Sequence, residues 1–122
     1  MANQNKQVYY KSGILKYNDA AGKVLFTLPP DVVILDTKVY VDTAFDDTGT
    51  DLVDVGTAGD PDKFANDVDV GATGEATVTR LAHGPQANTR QFDVTGTFTG
   101  SNSDAAAGKA FIGMLYATAF LH

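Results

Sequence analysis

The residues of this chain best suited to chemistry are its acids, because 14 of the 15 acidic side chains are Asp. Two short clusters bring them together, DDTGTD with Asp46, Asp47 and Asp51, and NDVDVG with Asn66, Asp67 and Asp69. Oxygen ligands at this spacing suit calcium, but neither cluster has the Glu that closes an EF-hand loop. Asp and Asn also favour turns, because their side chains bond the nearby backbone. We therefore expect the acids to shape loops and the chain to bind no metal.

Signatures of catalysis are missing from the sequence. It has no Cys and only two His, His83 and His122, which excludes a cysteine nucleophile, a disulfide framework and a thiolate metal site. It contains no Gly-x-Ser-x-Gly, no phosphate-binding Gly loop ending in Lys-Ser/Thr and no His-x-x-x-His. Paired carboxylates of a glycosidase need a cleft, whereas Glu75 and the Asp clusters lie in Gly-rich loops. We predict no catalytic residue, no cofactor and no enzymatic activity, and a hydrogen-bonded or solvated His83.

The charge of the chain is unevenly distributed. The net charge is -6, with +3 in residues 1–30, -10 in residues 31–75 and +1 in residues 76–122. A nucleic-acid binder normally carries a basic surface, so we expect no nucleic-acid partner. No run approaches the roughly 20 apolar residues that span a bilayer, and the N-terminus lacks the apolar region of a signal peptide. We therefore expect no membrane association.

In the segments that position these residues, apolar and polar side chains alternate with period two, which predicts half-buried β-strands. In VILDTKVYVDTAF the odd positions are predicted to face the core: Val33, Leu35, Thr37, Val39, Val41, Thr43 and Phe45. In QFDVTGTFT the inward set is Phe92, Val94, Gly96 and Phe98. Shorter strands are predicted at QVYYKSGILKY, KVLFTL, DLVDVG, VDV and EATVTRL, each bounded by turn residues.

These strands predict an all-β fold, an antiparallel β-sandwich, with a jelly roll preferred and an immunoglobulin-like sandwich as the alternative. The segment GDPDKFAND is predicted to form one helical turn, with Asp60 as its cap, Pro61 at its first position and Phe64 pointing inward. We expect residues 1–7 to form a flexible N-terminal arm and residues 8–122 to form a single β-sandwich domain.

The C-terminal segment KAFIGMLYATAFLH is apolar on both faces of the predicted strand. A strand whose outer face meets water should alternate between apolar and polar residues. Something must therefore cover the second face, either a loop of the same chain or another subunit. We predict an interface that includes Phe111, Ile112, Met114, Tyr116 and Phe120.

The block from Leu28 to Asp67 resembles a group of small structural proteins encoded beside the major capsid protein in tailed double-stranded DNA phages. The matching stretches are Leu28-Pro29, Val33-Ile34, Thr43-Ala44-Phe45, Leu52 to Gly59 and Asp60 to Phe64. The chain departs from the pattern at Asp46, where Asn is commoner, and in its doubled Pro29-Pro30. The resemblance covers about a third of the chain.

The resemblance implies a capsid decoration (cement) protein, a jelly roll on the outer surface of the virion that reinforces contacts between major capsid protein subunits. It also implies synthesis in the host cytoplasm and a homo-oligomer, with a trimer preferred over a dimer. The N-terminal arm would then either add a strand or lay Lys6 and Lys11 on an acidic capsid surface, with Gln7 also in the interface. The acidic middle would face solvent. Two alternatives remain at this point: another virion component, such as a head-fibre base or a tail or neck protein, and a carbohydrate- or calcium-binding β-sandwich module.

Overall fold

The computed structural model describes residues 7–79, 81–87 and 89–118 of the chain. In these ranges all regular structure is β-strand: β1 (Val8–Lys16), β2 (Lys23–Leu28), β3 (Val32–Thr43), β4 (Asp51–Thr57), β5 (Asp60–Asp69), β6 (Gly74–Ala76), β7 (Gly84–Pro85), β8 (Phe92–Gly100) and β9 (Lys109–Thr118). Within the same ranges, no helix has the length and apolar character needed to cross a membrane.

Eight of the strands fold like one long hairpin that is rolled over on itself. Strand β1 pairs with β9, β2 with β8, β3 with β6 and β4 with β5, all antiparallel. Rolling the hairpin adds the pairs β3–β9 and β4–β8. The result is one sheet in the order β1-β9-β3-β6, with β7 also on β3, and a second in the order β2-β8-β4-β5. This is a jelly roll, so the predicted all-β antiparallel sandwich and its preferred topology are confirmed.

The hydrophobic core lies between the two sheets. Each fully buried aliphatic or aromatic side chain contributes about 1.5–3 kcal/mol of burial free energy. The largest such side chains come from both sheets: Leu15, Leu28, Val32, Ile34, Val39, Val41, Phe45, Val53, Val55, Phe64, Ile112 and Met114. Phe45, just beyond β3, packs on Phe98 of the opposite sheet with ring centroids 4.6 Å apart. The core therefore ties together strands that are far apart in the sequence.

A bulge in β3 corrects the predicted inward set. The pairing of β3 with β9 shifts register between Ile34 and Asp36, and a shift of one residue moves every following side chain to the other face. Val39 and Val41 are buried as predicted, but before the bulge the buried residues are Val32 and Ile34. Leu35 is 37% exposed. A second shift lies between Val41 and Thr43, and Thr43 is exposed. The prediction that Val33, Leu35 and Thr43 face the core is therefore wrong.

The predicted helical turn in GDPDKFAND is also wrong, because Asp60–Asp69 is strand β5. Thr57 pairs with Asp60 across a two-residue turn, Ala58-Gly59, which makes β4 and β5 a hairpin. Pro61 is tolerated because β5 is an edge strand, where a missing N–H need not break a ladder hydrogen bond. Phe64 is fully buried, so its predicted inward orientation is confirmed.

Two lysines close the side of the sandwich where edge strands β1 and β2 face each other. The Nζ of Lys11 on β1 donates to the carbonyl oxygen of Thr27 on β2 at 2.7 Å, and the Nζ of Lys23 on β2 donates to that of Ile14 on β1 at 2.9 Å. Both carbonyls belong to sheet edges, which are open to pairing with other chains unless they are protected. The lysines therefore join the two sheets and protect these edges.

Gly13 sits at the closest approach of β1 and β2. A Cβ built there would lie 2.6 Å from the carbonyl oxygen of Leu25 and 2.9 Å from its Cα. Because these are backbone atoms, Gly13→Ala forces the sheet edges apart, and we expect it to lower the free energy of unfolding by about 1–3 kcal/mol. Urea denaturation measures the change. Gly59→Ala is the control, since no atom lies within 4 Å of its Cβ position, and equal stability of the two variants would contradict the prediction.

Candidate assembly surface

The acids of the DDTGTD cluster accept hydrogen bonds from backbone N–H groups. Asp47 Oδ1 accepts from the N–H groups of Gly49 at 2.7 Å and Asn102 at 3.1 Å, and its Oδ2 accepts from that of Asp104 at 3.0 Å. Asp46 Oδ1 accepts two further N–H groups of the same β8–β9 loop, residues 101–108. The cluster therefore fastens the β3–β4 loop to the β8–β9 loop. Throughout the described ranges, no group of three or more His, Cys, Asp or Glu side chains is placed to hold a metal ion.

Hydrogen bonding and burial shift the pKa values of two of these acids in opposite directions. Burial by itself raises the pKa of Asp47, but its three N–H donors stabilise the charged form and together hold its pKa below the usual value. Burial raises the pKa of Asp51, and neighbouring carboxylates raise it further. The hydrogen bond that Asp51 accepts from the N–H of Asp47 opposes this rise only in part. The charge of Asp47 therefore stabilises the fold, whereas the surroundings of Asp51 disfavour its charged form.

His83 is hydrogen-bonded on both ring nitrogens, which confirms its predicted state. Its Nδ1 lies 2.6 Å from the carbonyl oxygen of Leu81, and its Nε2 lies 3.1 Å from the hydroxyl oxygen of Thr37. Because a carbonyl only accepts, Nδ1 donates, and Nε2 of the neutral ring accepts from Thr37. His83 thus attaches the loop before β7 to strand β3.

Strand β9 lies between β1 and β3, so its two apolar faces meet different surroundings. Ile112 and Met114 are completely buried between the sheets, and Tyr116 is 5% exposed. The second sheet of the same chain covers this face, so the prediction that these three residues line an interface is corrected. Phe111, on the other face, points away from the core and is only half-buried.

The outward side of β9 belongs to an apolar surface that spans three strands. Ile14, Phe111 and Tyr40 lie side by side on β1, β9 and β3. Two residues along β9, a Cβ on Gly113 would overlap the ring of Tyr10, so Tyr10 covers the gap. Tyr10 in turn lies beside Leu115. We call this surface the apolar face and define it as Val8, Tyr10, Ile14, Tyr40, Phe111 and Leu115.

Most of the charges around the apolar face are paired within the chain. Lys38 Nζ lies 3.2 Å from Glu75 Oε2 and 3.5 Å from Asp36 Oδ2. Hydrogen bonding to Glu75 and its charge, helped by Asp36, hold the pKa of Lys38 above its usual value. Lys109 Nζ lies 3.8 Å from Asp42 Oδ2 and 5.5 Å from the ring centroid of Phe111. Exposed Lys16 lies beside Lys109 on the same side, so the rim carries three lysines and three acids whose charges sum to zero.

The outer face of the second sheet has the opposite chemistry. Asp54 lies beside Thr97, Asp93 beside Thr27, and Leu52 between Asp69 and Thr99. Burial raises the pKa of Asp54, and the charges of nearby acids raise it further. We call this surface the acidic face and define it as Asp54, Asp69, Asp93, Thr97 and Thr99.

The remaining predicted interface residues lie near the start of β1 or outside the described residues. Gln7 is exposed and accepts a hydrogen bond from the Tyr9 hydroxyl at 2.7 Å. Lys11 is exposed and bonds across to β2. Lys6 and Phe120 lie outside the described residues. Of the predicted residues that the structure describes, only Phe111 belongs to the apolar face. Leu115 follows Phe111 by alternation along β9, whereas Val8, Tyr10, Ile14 and Tyr40 become its neighbours only through the pairing of β1, β9 and β3.

By sequence, the chain matches no protein-family model and no curated protein. Its structure is similar to a chain of the capsid asymmetric unit of cyanophage Pam1, with a TM-score of 0.60 and 18% identity over 94% of this chain and 86% of that one. It is also similar to a chain of the acid-stable capsid of Helicobacter pylori bacteriophage KHP30, with a TM-score of 0.62 and 16% identity over 98% of this chain and 97% of that one. At these identities the likeness concerns the fold. The jelly roll of this chain is thus a fold found nearly end to end in chains of phage capsids, as the resemblance of its sequence implied.

Proposed function

We propose that this protein is a non-enzymatic structural component of a phage particle, which binds the outer surface of the capsid and reinforces contacts between major capsid protein subunits. The observation that carries the proposal is the fold shared with chains of two phage capsids, in which 86% and 97% of the neighbour's own length is matched. Those neighbours are therefore chains of a length similar to this one.

The chemistry of the surface supports a role in packing rather than catalysis. The most concentrated acids of the chain bind loop N–H groups, which stabilises the sandwich. The exposed apolar face offers contact area, whereas the acidic face is suited to solvent. A protein that reinforces a shell acts through many modest contacts whose strength is combined by the repeated lattice. In this proposal the protein acts as a homo-oligomer, with a trimer preferred over a dimer.

Binding to capsids tests the proposal directly. Purified chain is mixed with empty expanded capsids of its phage, and bound protein is measured by co-sedimentation and located by electron microscopy. We expect saturable binding at a number of copies set by the icosahedral symmetry, on the outer surface of the shell. Absence of binding contradicts the proposal, and density at a vertex or on the tail would replace it with a head-fibre, tail or neck role.

The N-terminal arm, residues 1–7, is proposed to strengthen this binding. The arm brings Lys6 and leads into β1, where Lys11 is exposed, so it can place positive charge on an acidic capsid surface. Deleting residues 1–7 should leave the melting temperature nearly unchanged and weaken capsid binding by about tenfold or more, a loss of about 1.4 kcal/mol. Scrambling the order of residues 2–7 keeps the charge and serves as a control. Full affinity of the deletion variant would contradict this role of the arm.

A further inference from the structure

The apolar face concentrates exposed hydrophobic area on one side of the molecule. Val8, Tyr10, Ile14 and Tyr40 are 58%, 53%, 38% and 52% exposed. With roughly 150–230 Å² for each side chain, these four alone expose about 400 Å², which equals the largest patches of ordinary monomers. It is also about half of the ~800 Å² that each partner contributes to a stable interface. Half-buried Phe111 and Leu115 join these side chains into one surface.

The charge around this face favours a partner that brings no strong charge of its own. Lys38 is paired with Glu75 and Asp36, and Lys109 is paired with Asp42. Together with exposed Lys16 beside Lys109, these lysines and acids sum to zero, so the rim offers a strongly charged partner no net opposite charge. A copy of the same face presents the same balanced rim, so like charges need not be brought together.

The acidic face sets the orientation of such a contact. The chain carries a net charge of -6, and copies that met through Asp54, Asp69 and Asp93 would bring acid against acid. Contact through the apolar face keeps these acids on the far side of each protomer. The acids stay apart both in a dimer whose apolar faces meet and in a trimer whose apolar faces turn toward a common axis.

We propose that the apolar face is the surface on which a second copy of this chain docks. The proposal rests on the homo-oligomer of the proposed function, but its test needs no capsid, so the two can fail separately. The acidic face of the assembled protein then points outward.

Sedimentation velocity of the full chain over a concentration series tests this contact. We expect the native chain to sediment with the mass of two or three protomers. Tyr40→Lys should sediment as a monomer, even at concentrations at least tenfold higher than those at which the native assembly dissociates. The new lysine would lie opposite Glu75, so the monomer keeps a favourable cross-strand pair. Thr99→Lys, on the acidic face, is the charge-matched control and should assemble like the native chain.

The outcomes separate the contact from folding and from capsid binding. A native chain that stays monomeric overturns the proposal, even if it binds capsids. A Tyr40→Lys variant that assembles as tightly as the native chain overturns it too, as does equal dissociation of Thr99→Lys. If the circular dichroism of Tyr40→Lys differs from the native spectrum, Val8→Lys, at the most exposed position of the face, replaces it in the same comparison.

Discussion

Val39→Asp is expected to unfold the protein. Val39 is completely buried at the centre of β3, with Ile112 of β9 on one side and Ala76 of β6 on the other. The substitution removes about 1.5–3 kcal/mol of apolar burial and places an unpaired charge in the core at a further penalty of several kcal/mol. A domain of this size has a total stability of about 5–15 kcal/mol. We expect loss of amide dispersion in NMR spectra and of any cooperative thermal transition.

The same substitution at an exposed valine is the matched control. Val24 is 50% exposed on edge strand β2, so Val24→Asp should leave the fold and its cooperative melting intact. Folded, cooperatively melting Val39→Asp protein would contradict the structure of this strand.

Leu35→Asp distinguishes the observed bulge from simple alternation. Uninterrupted alternation places Leu35 and Val39 on the same buried face, so both substitutions would unfold the chain. The bulge exposes Leu35, so Leu35→Asp should fold, with a loss of stability near the ~1 kcal/mol typical of point substitutions. Thermal melts of the two variants side by side decide between the two descriptions of β3.

This contrast shows why the fold was more predictable than its details. Period-two patterns depend only on neighbours along the chain, so β3 and β8 could be recognised and Val39, Val41 and Val94 named as inward residues. A bulge depends on how β9 pairs with β3, which no local pattern records. The same holds for β5, where Asp60 and Pro61 are typical of a helix start and yet tertiary pairing with β4 makes them a strand.

From the sequence, the candidate surface could be predicted only in part: an apolar second face on β9 had to be covered by something, but the residues around it could not be named. Two apolar faces on β9 indicated that something must cover the second of them. The second sheet covers the face with Ile112 and Met114, and cover of the face with Phe111 stays a prediction. The residues that surround Phe111 come from β1 and β3, and Ile14 is separated from Phe111 by nearly the whole chain. Sequence spacing cannot show that such residues touch, whereas the jelly-roll pairing does.

Asp47→Asn is expected to lower the melting temperature at neutral pH by about 5 °C or more. The charged carboxylate of Asp47 accepts three backbone N–H groups from two loops, with both oxygens used. Asn keeps one acceptor oxygen and turns an N–H₂ donor toward the remaining N–H, which leaves at least one donor without a partner. Asp31→Asn removes the same charge at an exposed position with φ of 54° that Asn tolerates, and it should melt close to the native temperature.

The pH dependence of the melting temperature separates this role of Asp47 from that of a calcium ligand, for which Asp47→Asn would raise the melting temperature. The folded-state pKa of Asp47 is below the ordinary 3.8, so its stabilising contribution is full above that value and is lost as the pH falls through the lower, folded-state pKa. The difference in melting temperature between native protein and Asp47→Asn should therefore be largest near neutrality and shrink in acid below pH 3.8. If DDTGTD were instead an empty cation site, the variant would relieve repulsion between carboxylates and melt higher than the native chain at neutral pH. A lower melting temperature that approaches the native one in acid, with Asp31→Asn unchanged throughout, identifies Asp47 as the acid that fastens the two loops together.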